Sequence, residues 1–212
     1  MNAAPALLVF AKAAVPGRVK TRLAAAIGDA PAAAVYRELT DVALAHAGAA
    51  LRAGVVAAVE LWCAPDPASG EFARLAAAAH ATRHRQSDGD LGARMAHAIA
   101  DALARHRSVL LIGTDCPLLD ARYLAHAAGL LRDCDAVLGP AEDGGYVLVG
   151  ATRPLPFAGV RWSSPHALAD TEAAFARAGV RWRTAPALWD VDEPADLARW
   201  RAHAIPHEPA AR

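Results

Sequence analysis

Along the chain, solid apolar runs alternate with stretches in which apolar residues recur at helical spacing. Residues 6–11 (ALLVFA) and 109–112 (VLLI) contain no polar position, the pattern of strands buried on both faces of an α/β sheet. Residues 55–63 read as a further strand, closed by Pro65-Asp66-Pro67. Residues 82–86 read as a short polar strand near an edge, 136–150 as strand, tight turn and strand, and 180–184 as a late strand. Helices are predicted over 30–51, 72–79, 91–106, 121–132 and 165–178, with another starting at Pro194. Asp29, Asp120 and Ser164 stand where N-caps are wanted, and Pro31 and Pro165 fall in first turns. Val35, Leu39, Val42 and Ala43 form the inward stripe of the first helix; Leu91, Met95, Ala98 and Ala102 form that of the 91–106 helix.

Strands and helices alternate without an internal repeat or a linker. They predict an α/β fold: a single three-layer α/β/α domain with a mostly parallel central sheet, over residues 1–204. The Pro- and Ala-rich residues 205–212 are expected to form a disordered tail. At 212 residues the chain suits one domain with a sizeable core. Lys+Arg and Asp+Glu are both 22, so no basic surplus favours nucleic acid. The apolar runs are too short to span a bilayer, and Lys12 interrupts the first of them, which removes the pattern of a secretory leader. A cytoplasmic protein that engages neither nucleic acid nor membrane is the expectation. Cys63, Cys116 and Cys134 are odd in number and widely spaced, with no CxxC, so neither a disulfide framework nor a zinc site is expected.

Candidate chemistry gathers in the loops. After the first strand, residues 12–23 place Pro16-Gly17 at a turn among Lys12, Arg18, Lys20 and Arg22. Such cations suit a polyphosphate, since Arg clamps oxygens bidentately and Lys supplies a point charge; a solvated basic loop is the other reading. Val19 and Ala14 stand where a Walker A loop needs glycines, and no GxGxxG follows the strand. In Asp88-Gly89-Asp90-Leu91-Gly92 the glycines let backbone approach a ligand at the N-terminus of the next helix. A turn and cap explains its acids equally well. Asp115 follows the central strand and precedes Cys116-Pro117, so a carboxylate is left at a strand's carboxyl end, where open α/β sheets bind ligands. Such an Asp is often a turn former or cap, but here Asp120 is the better cap. Glu142-Asp143-Gly144-Gly145 is either a plain hairpin turn or a bare surface for a sugar or phosphate. Asp190 and Asp192 precede the last helix, one of them a candidate cap.

As a set, Phe10-Ala11-Lys12, residues 16–23 (PGRVKTRL), 89–92 (GDLG), 113–117 (GTDCP), 139–146 (GPAEDGGY) and 190–197 (DVDEPADL) resemble the nucleotide-diphospho-sugar transferase (GT-A) superfamily. Within it the chain is similar to bacterial glycosyltransferase-like proteins related to 2-phospholactate guanylyltransferase and to molybdenum-cofactor nucleotidyltransferases. The resemblance implies that Lys12, Arg18, Lys20 and Arg22 hold the donor's phosphates, with Phe10, Ala11, Gly17, Asp88, Gly89 and Gly92 completing the nucleotide site. It makes Asp115 and Asp192 ligands of Mg²⁺ or Mn²⁺, and Lys20, Asp115 and Asp143 the catalytic residues. Asp143, Gly144, Gly145 and Tyr146 would face the acceptor, with Glu142 second to Asp143 as general base. Two departures stand out. Glycosyltransferases of this fold commonly carry Asp-x-Asp, whereas Asp115-Cys116-Pro117 is closer to the nucleotidyltransferase branch, and Tyr146 after Asp-Gly-Gly departs from the guanylyltransferase.

The implied activity is a metal-dependent transferase that takes a nucleotide donor and a small-molecule acceptor. Sugar transfer from a nucleotide sugar is the first reading. The alternatives are nucleotidylyl transfer from an NTP with release of pyrophosphate, and a non-catalytic nucleotide-binding module. Trp182, Trp189 and Trp200 are candidates for either an interface or the core.

Overall fold

In the computed structural model, which describes residues 4–204, the apolar runs become strands and the periodic stretches helices. The order is β1 (Ala6–Lys12), α1 (Thr21–Ile27), α2 (Asp29–Arg52), β2 (Ala58–Ala64), α3 (Gly70–Ala79), β3 (Thr82–Arg85), α4 (Leu91–Leu103), β4 (Val109–Ile112), α5 (Ala121–Leu130), β5 (Ala136–Pro140), β6 (Tyr146–Ala151), α6 (Ala167–Arg177), β7 (Trp182–Thr184) and α7 (Pro194–Ala204). The tail expected at 205–212 lies outside the described residues.

The seven strands form one sheet in the order β3-β2-β1-β4-β6-β5-β7. β1 pairs in parallel with β2 and β4, β2 with β3, and β5 with β7; β6 alone is antiparallel to its neighbours β4 and β5. From β1 the chain moves outward to β2 and β3, then returns to the other side of β1 as β4. The carboxyl ends of β1 and β4 therefore flank a topological switch point, the crevice where such sheets bind ligands.

Alternation along β1 explains the three layers. Leu7 and Val9 pack against α2, α3 and α5, while Ala6 and Leu8 pack against α4 and α6. A third cluster joins Leu23 of α1, Val35 and Leu39 of α2, and Trp189, Val191 and Trp200 around α7. Trp189 and Trp200 are core residues of that cluster. It ties the cationic loop after β1 to the C-terminal segment, which brings two distant loops to one place.

Three local readings change in the fold. Residues 21–23, read as the end of the cationic loop, open α1 (Thr21–Ile27), as Ala24-Ala25-Ala26 favours. Gly28, at φ 90°, turns the chain into α2, so Asp29 opens that helix from inside its first turn. Ser164 Oγ donates to Arg161 O (2.7 Å) and accepts from His166 N (3.2 Å), forming a turn before α6. The cap at Asp120 stands as expected, accepting from Tyr123 N at 2.8 Å, and Asp90, left open between a ligand loop and a cap, caps α4 by accepting from Ala93 N at 2.8 Å.

Candidate functional site

The loop after β1 is stitched to its surroundings rather than left as a solvated basic strand of chain. Lys12 N donates to Tyr36 Oη (2.8 Å), Arg37 Nη2 donates to Ala14 O (3.0 Å), and Ala14 N donates to Glu71 Oε2 (3.3 Å). Burial pushes the Tyr36 hydroxyl above its ordinary range, with nearby Asp115 adding to the effect. Tyr36 thus supports the loop from below, a role its helical spacing did not distinguish from ordinary core packing.

The four cations of this loop divide between two sites. Lys12 and Arg18 line a cleft of about 460 Å³ together with Arg85, Gln86, Asp88 and Arg94. None of the four cleft cations forms an ion pair among the described residues. Arg85, Gln86 and Arg94 escaped the sequence reading. Arg85 ends an edge strand and Arg94 sits one turn into α4, so only the fold turns both toward β1. Gln86 is buried and donates through Nε2 to Ala11 O (3.2 Å) and Trp62 O (2.8 Å), closing the cleft floor. Ala11 is thereby engaged within the protein, and Phe10 lies against Trp62 with ring centroids 6.4 Å apart. Gly17, at φ 76°, makes the loop's turn beside Asp29.

Lys20 and Arg22 face acids instead. Lys20 adopts left-handed backbone geometry (φ 49°, ψ 46°) at the start of α1, and its side chain is only 3% exposed. Its ammonium contacts Asp115 Oδ1 and lies 2.8 Å from Asp192 Oδ1. Burial works against the charged form, but Asp115 and then Asp192 outweigh it and hold the Lys20 pKa above its ordinary value. Arg22 Nη1 lies 3.9 Å from Asp192 Oδ2.

Asp115 and Asp192 meet because the chain between β7 and α7 runs back past the sheet. Leu188 N donates to Pro140 O (3.0 Å), Glu142 N to Leu188 O (2.9 Å), and Val191 N to Asp115 O (3.0 Å). Neither Asp190 nor Asp192 caps α7. Asp196 does so, accepting from Asp192 N (3.1 Å) and Glu193 N (2.8 Å). Burial, reinforced by Asp192, Asp143 and Asp115, pushes Asp190 up to about 6. Asp190 therefore belongs to the same acidic corner, although in sequence it could not be told from a cap. Burial also pushes the Cys116 thiol up to about 12, so it is no nucleophile at neutral pH.

The Asp-Gly-Gly turn is closed on itself. Asp143 Oδ1 accepts from Gly145 N (2.8 Å), and the residue is exposed. A side chain at Gly144 (φ 88°) would strike Pro165 O, and Gly144 O accepts from Leu168 N (3.0 Å), so this glycine serves the packing of α6. Glu142 turns away from the acids to pair with Arg199 (2.7 and 3.2 Å), which stacks on Trp189 at 4.4 Å. The Tyr146 hydroxyl is buried, without a hydrogen-bond partner among the described residues, edge-on to Trp162 with centroids 6.2 Å apart. Trp162 also covers Gly92, where a Cβ would come within 2.8 Å of the indole. The close approach expected of a ligand at Gly92 is thus made by Trp162. Gly89 (φ 106°) and Asp88 stay exposed at the cleft rim.

With this geometry in view, the comparisons with known proteins fall into line. A bacterial family described as "Uncharacterized protein conserved in bacteria (DUF2064)" matches residues 44–164. The chain belongs to the DUF2064 family. A solved structure from Desulfovibrio desulfuricans G20, provisionally described as a nucleotide-diphospho-sugar transferase, is 30% identical, with a TM-score of 0.82 over 98% of this chain and 90% of that one. CMP:2-keto-3-deoxy-manno-octonic acid synthetase complexed with CTP is 14% identical, with a TM-score of 0.56 over 94% of this chain and 98% of the other. Glucosyl-3-phosphoglycerate synthase from Mycobacterium tuberculosis, in complex with Mn²⁺, UDP and glucosyl-3-phosphoglycerate, is 11% identical, with a TM-score of 0.52 over 92% and 75% of the two chains. No curated protein sequence matches significantly. The DUF2064 chain thus has the nucleotide-diphospho-sugar transferase (GT-A) fold and stands among nucleotide-using transferases, as its motifs implied. No described helix is long and apolar enough to cross a membrane.

Proposed function

We propose that this protein is a metal-dependent transferase that moves a group from a nucleotide donor to a small acceptor. The observation that carries the reading is the junction at the switch point. The loop after β1 lines, with Lys12 and Arg18, a cleft whose four cations have no ion pair among the described residues, and it carries Lys20, on which the oxygens of two carboxylates converge. Lys12, Arg18, Arg85 and Arg94 would hold the donor's phosphates, where charge-assisted hydrogen bonds are strongest. Asp143, exposed at the Asp-Gly-Gly turn, would take the acceptor's proton.

The acidic corner fits a divalent ion. Mg²⁺ takes one or two carboxylates, with water and substrate phosphates supplying the rest. Asp115 and Asp192 offer two hard oxygen donors already close enough to share one ammonium. Among the described residues no group of three or more His, Cys, Asp or Glu side chains has metal-holding geometry, and a carboxylate pair completed by substrate needs none. A bound Mg²⁺ or Mn²⁺ would supply charge neutralisation at the donor's phosphates.

Two reactions remain in view. The neighbour at 30% identity supports sugar transfer from a nucleotide sugar. The four unpaired cleft cations favour nucleotidylyl transfer from a triphosphate, which carries more negative charge than a nucleotide sugar. A thermal-shift screen of nucleoside triphosphates and nucleotide sugars, with and without Mg²⁺ or Mn²⁺, separates them. The ligand that stabilises the parent only with metal, and fails on Asp115→Ala, identifies the donor. Product analysis then reads the reaction: a nucleoside diphosphate for sugar transfer, pyrophosphate for nucleotidylyl transfer. No metal-dependent shift with any donor would leave a nucleotide-binding module instead.

A further inference from the structure

We propose that Lys20 is an internal stand-in for the metal. In the ligand-free protein its ammonium occupies the cation position between Asp115 and Asp192, and a divalent ion enters only as Lys20 withdraws. The inference rests on the metal-dependent reading above and concerns what keeps that site filled before substrate arrives.

The geometry is specific to this side chain. Lys20 is 3% exposed while Asp115 and Asp192 are 45% and 37% exposed, so the ammonium lies behind two carboxylates that still face solvent. Left-handed geometry is uncommon for a residue with a Cβ and persists only where the surroundings impose it. Here it turns the Lys20 side chain inward from the first turn of α1. One Oδ1 from each acid meets the same nitrogen, an arrangement that a compact ammonium fills and a planar guanidinium does not. Of the 22 Lys and Arg residues in the chain only Lys12 and Lys20 are lysines, and both lie in the loop after β1. Everywhere else the chain uses arginine for positive charge.

One ammonium does not neutralise the pair, since two carboxylates share it. A free divalent ion must nevertheless expel a buried, doubly paired ammonium to enter. A polyphosphate in the adjoining cleft changes that balance by offering Lys20 another anion to pair with. Metal and nucleotide would then bind cooperatively, the coupling arising because one cationic side chain cannot serve both sites at once.

The test measures Mn²⁺ binding to the full chain by the electron paramagnetic resonance signal of the free ion, without nucleotide. Lys20→Met is expected to bind Mn²⁺ at least ~10-fold more tightly than the parent, the scale on which one neighbouring charge shifts a carboxylate. Asp115→Asn in the Lys20→Met background should abolish that gain. Equal affinity in parent and Lys20→Met overturns the role of Lys20 and leaves the metal reading intact. No Mn²⁺ binding by either protein, with or without a nucleoside triphosphate, overturns the metal reading itself. A gain that survives Asp115→Asn puts the ion elsewhere and overturns both.

A second measurement on the parent protein removes any dependence on folding of the variant. With only two lysines, amine labelling read by mass spectrometry gives a direct ratio of Lys20 to Lys12. Lys20 should label far more slowly than exposed Lys12 in the free protein, and several-fold faster once Mn²⁺ alone saturates the site. A ratio unchanged at saturating Mn²⁺ overturns the displacement.

Discussion

Two ionic clusters sit at opposite ends of the same sheet, and they are built on opposite rules. Near the amino end of β2, Glu60 is buried with its side chain 4% exposed. Arg105 Nη2 reaches both its oxygens (3.0 and 3.1 Å), His106 Nε2 lies at 3.2 Å, and Trp62 Nε1 donates at 3.1 Å. One acid there is surrounded by donors. At the carboxyl ends of β1 and β4 the ratio is reversed: Asp115 and Asp192 share the ammonium of Lys20, and with Asp143 they bear on the half-buried Asp190. A buried charge kept for structure has its partners in full, since an uncompensated one is costly. An excess of one sign beside an open cleft marks a place where something else is meant to bind.

Breaking each cluster should therefore give opposite phenotypes. Asp115→Ala should lower turnover by at least ~100-fold and remove metal-dependent stabilisation by the donor, because charge stabilisation of that kind carries large rate factors. Its stability should fall less than that of Glu60→Ala, since Asp192 still pairs the buried Lys20 ammonium; kinetics and urea unfolding together check both halves. Glu60→Ala should do the reverse, costing roughly 2–4 kcal/mol in urea unfolding by stranding the cations around it. Turnover per folded molecule should be unchanged, and a loss matching that of Asp115→Ala would erase the distinction between the clusters.

Smaller changes sharpen the comparison within the site. Asp143→Asn should reduce kcat by ~10- to 100-fold, within the range of general base loss, whereas Glu142→Gln should leave it within about twofold. Glu142 belongs to Arg199 and Trp189, so comparable losses in the two variants would reject Asp143 as the base. Arg18→Ala should raise KM for the donor by about 10-fold, the worth of one partly solvated charge-assisted contact, with kcat less affected.

The smallest effect lies at an ion pair remote from both clusters. Arg161 donates to Asp170 through its side chain and backbone and holds that carboxyl down at about 2. Because the folded-state value is depressed below the ordinary 3.8, the pair adds stability above about pH 4 and loses it as pH falls toward 2. In Arg161→Ala, an NMR titration should find Asp170 raised toward its ordinary value, with the backbone N–H of residue 161 still holding it partly down, and this acid-dependent contribution should shrink accordingly.

How much of this was legible beforehand depends on the range of the interactions involved. Asp120 was readable as a cap because a cap is a contact between residues three apart. The cationic loop and Asp115 were readable for a similar reason, since each directly follows an apolar strand. Arg85, Gln86 and Arg94 were not, because nothing in their own segments distinguishes a cleft wall from a solvated face. Glu142, Gly92 and Tyr146 stood in motifs that pointed to ligands, yet Arg199 and Trp162, far along the chain, claim them in the fold.

By itself the sequence determined the α/β fold, most of its strands and helices, and the chemistry available at the strand ends. These follow from hydrophobic periodicity, turn residues and capping, all of them local. Only the tertiary structure decided that the cations of one loop serve two sites. Lys20 and Asp192 are 172 residues apart, and they meet because Trp189, Val191 and Trp200 pack on α1 and α2. That packing is non-directional apolar burial, which leaves no signature of its partner in either segment, and with the backbone bonds of Leu188 and Val191 it brings the lysine between the acids.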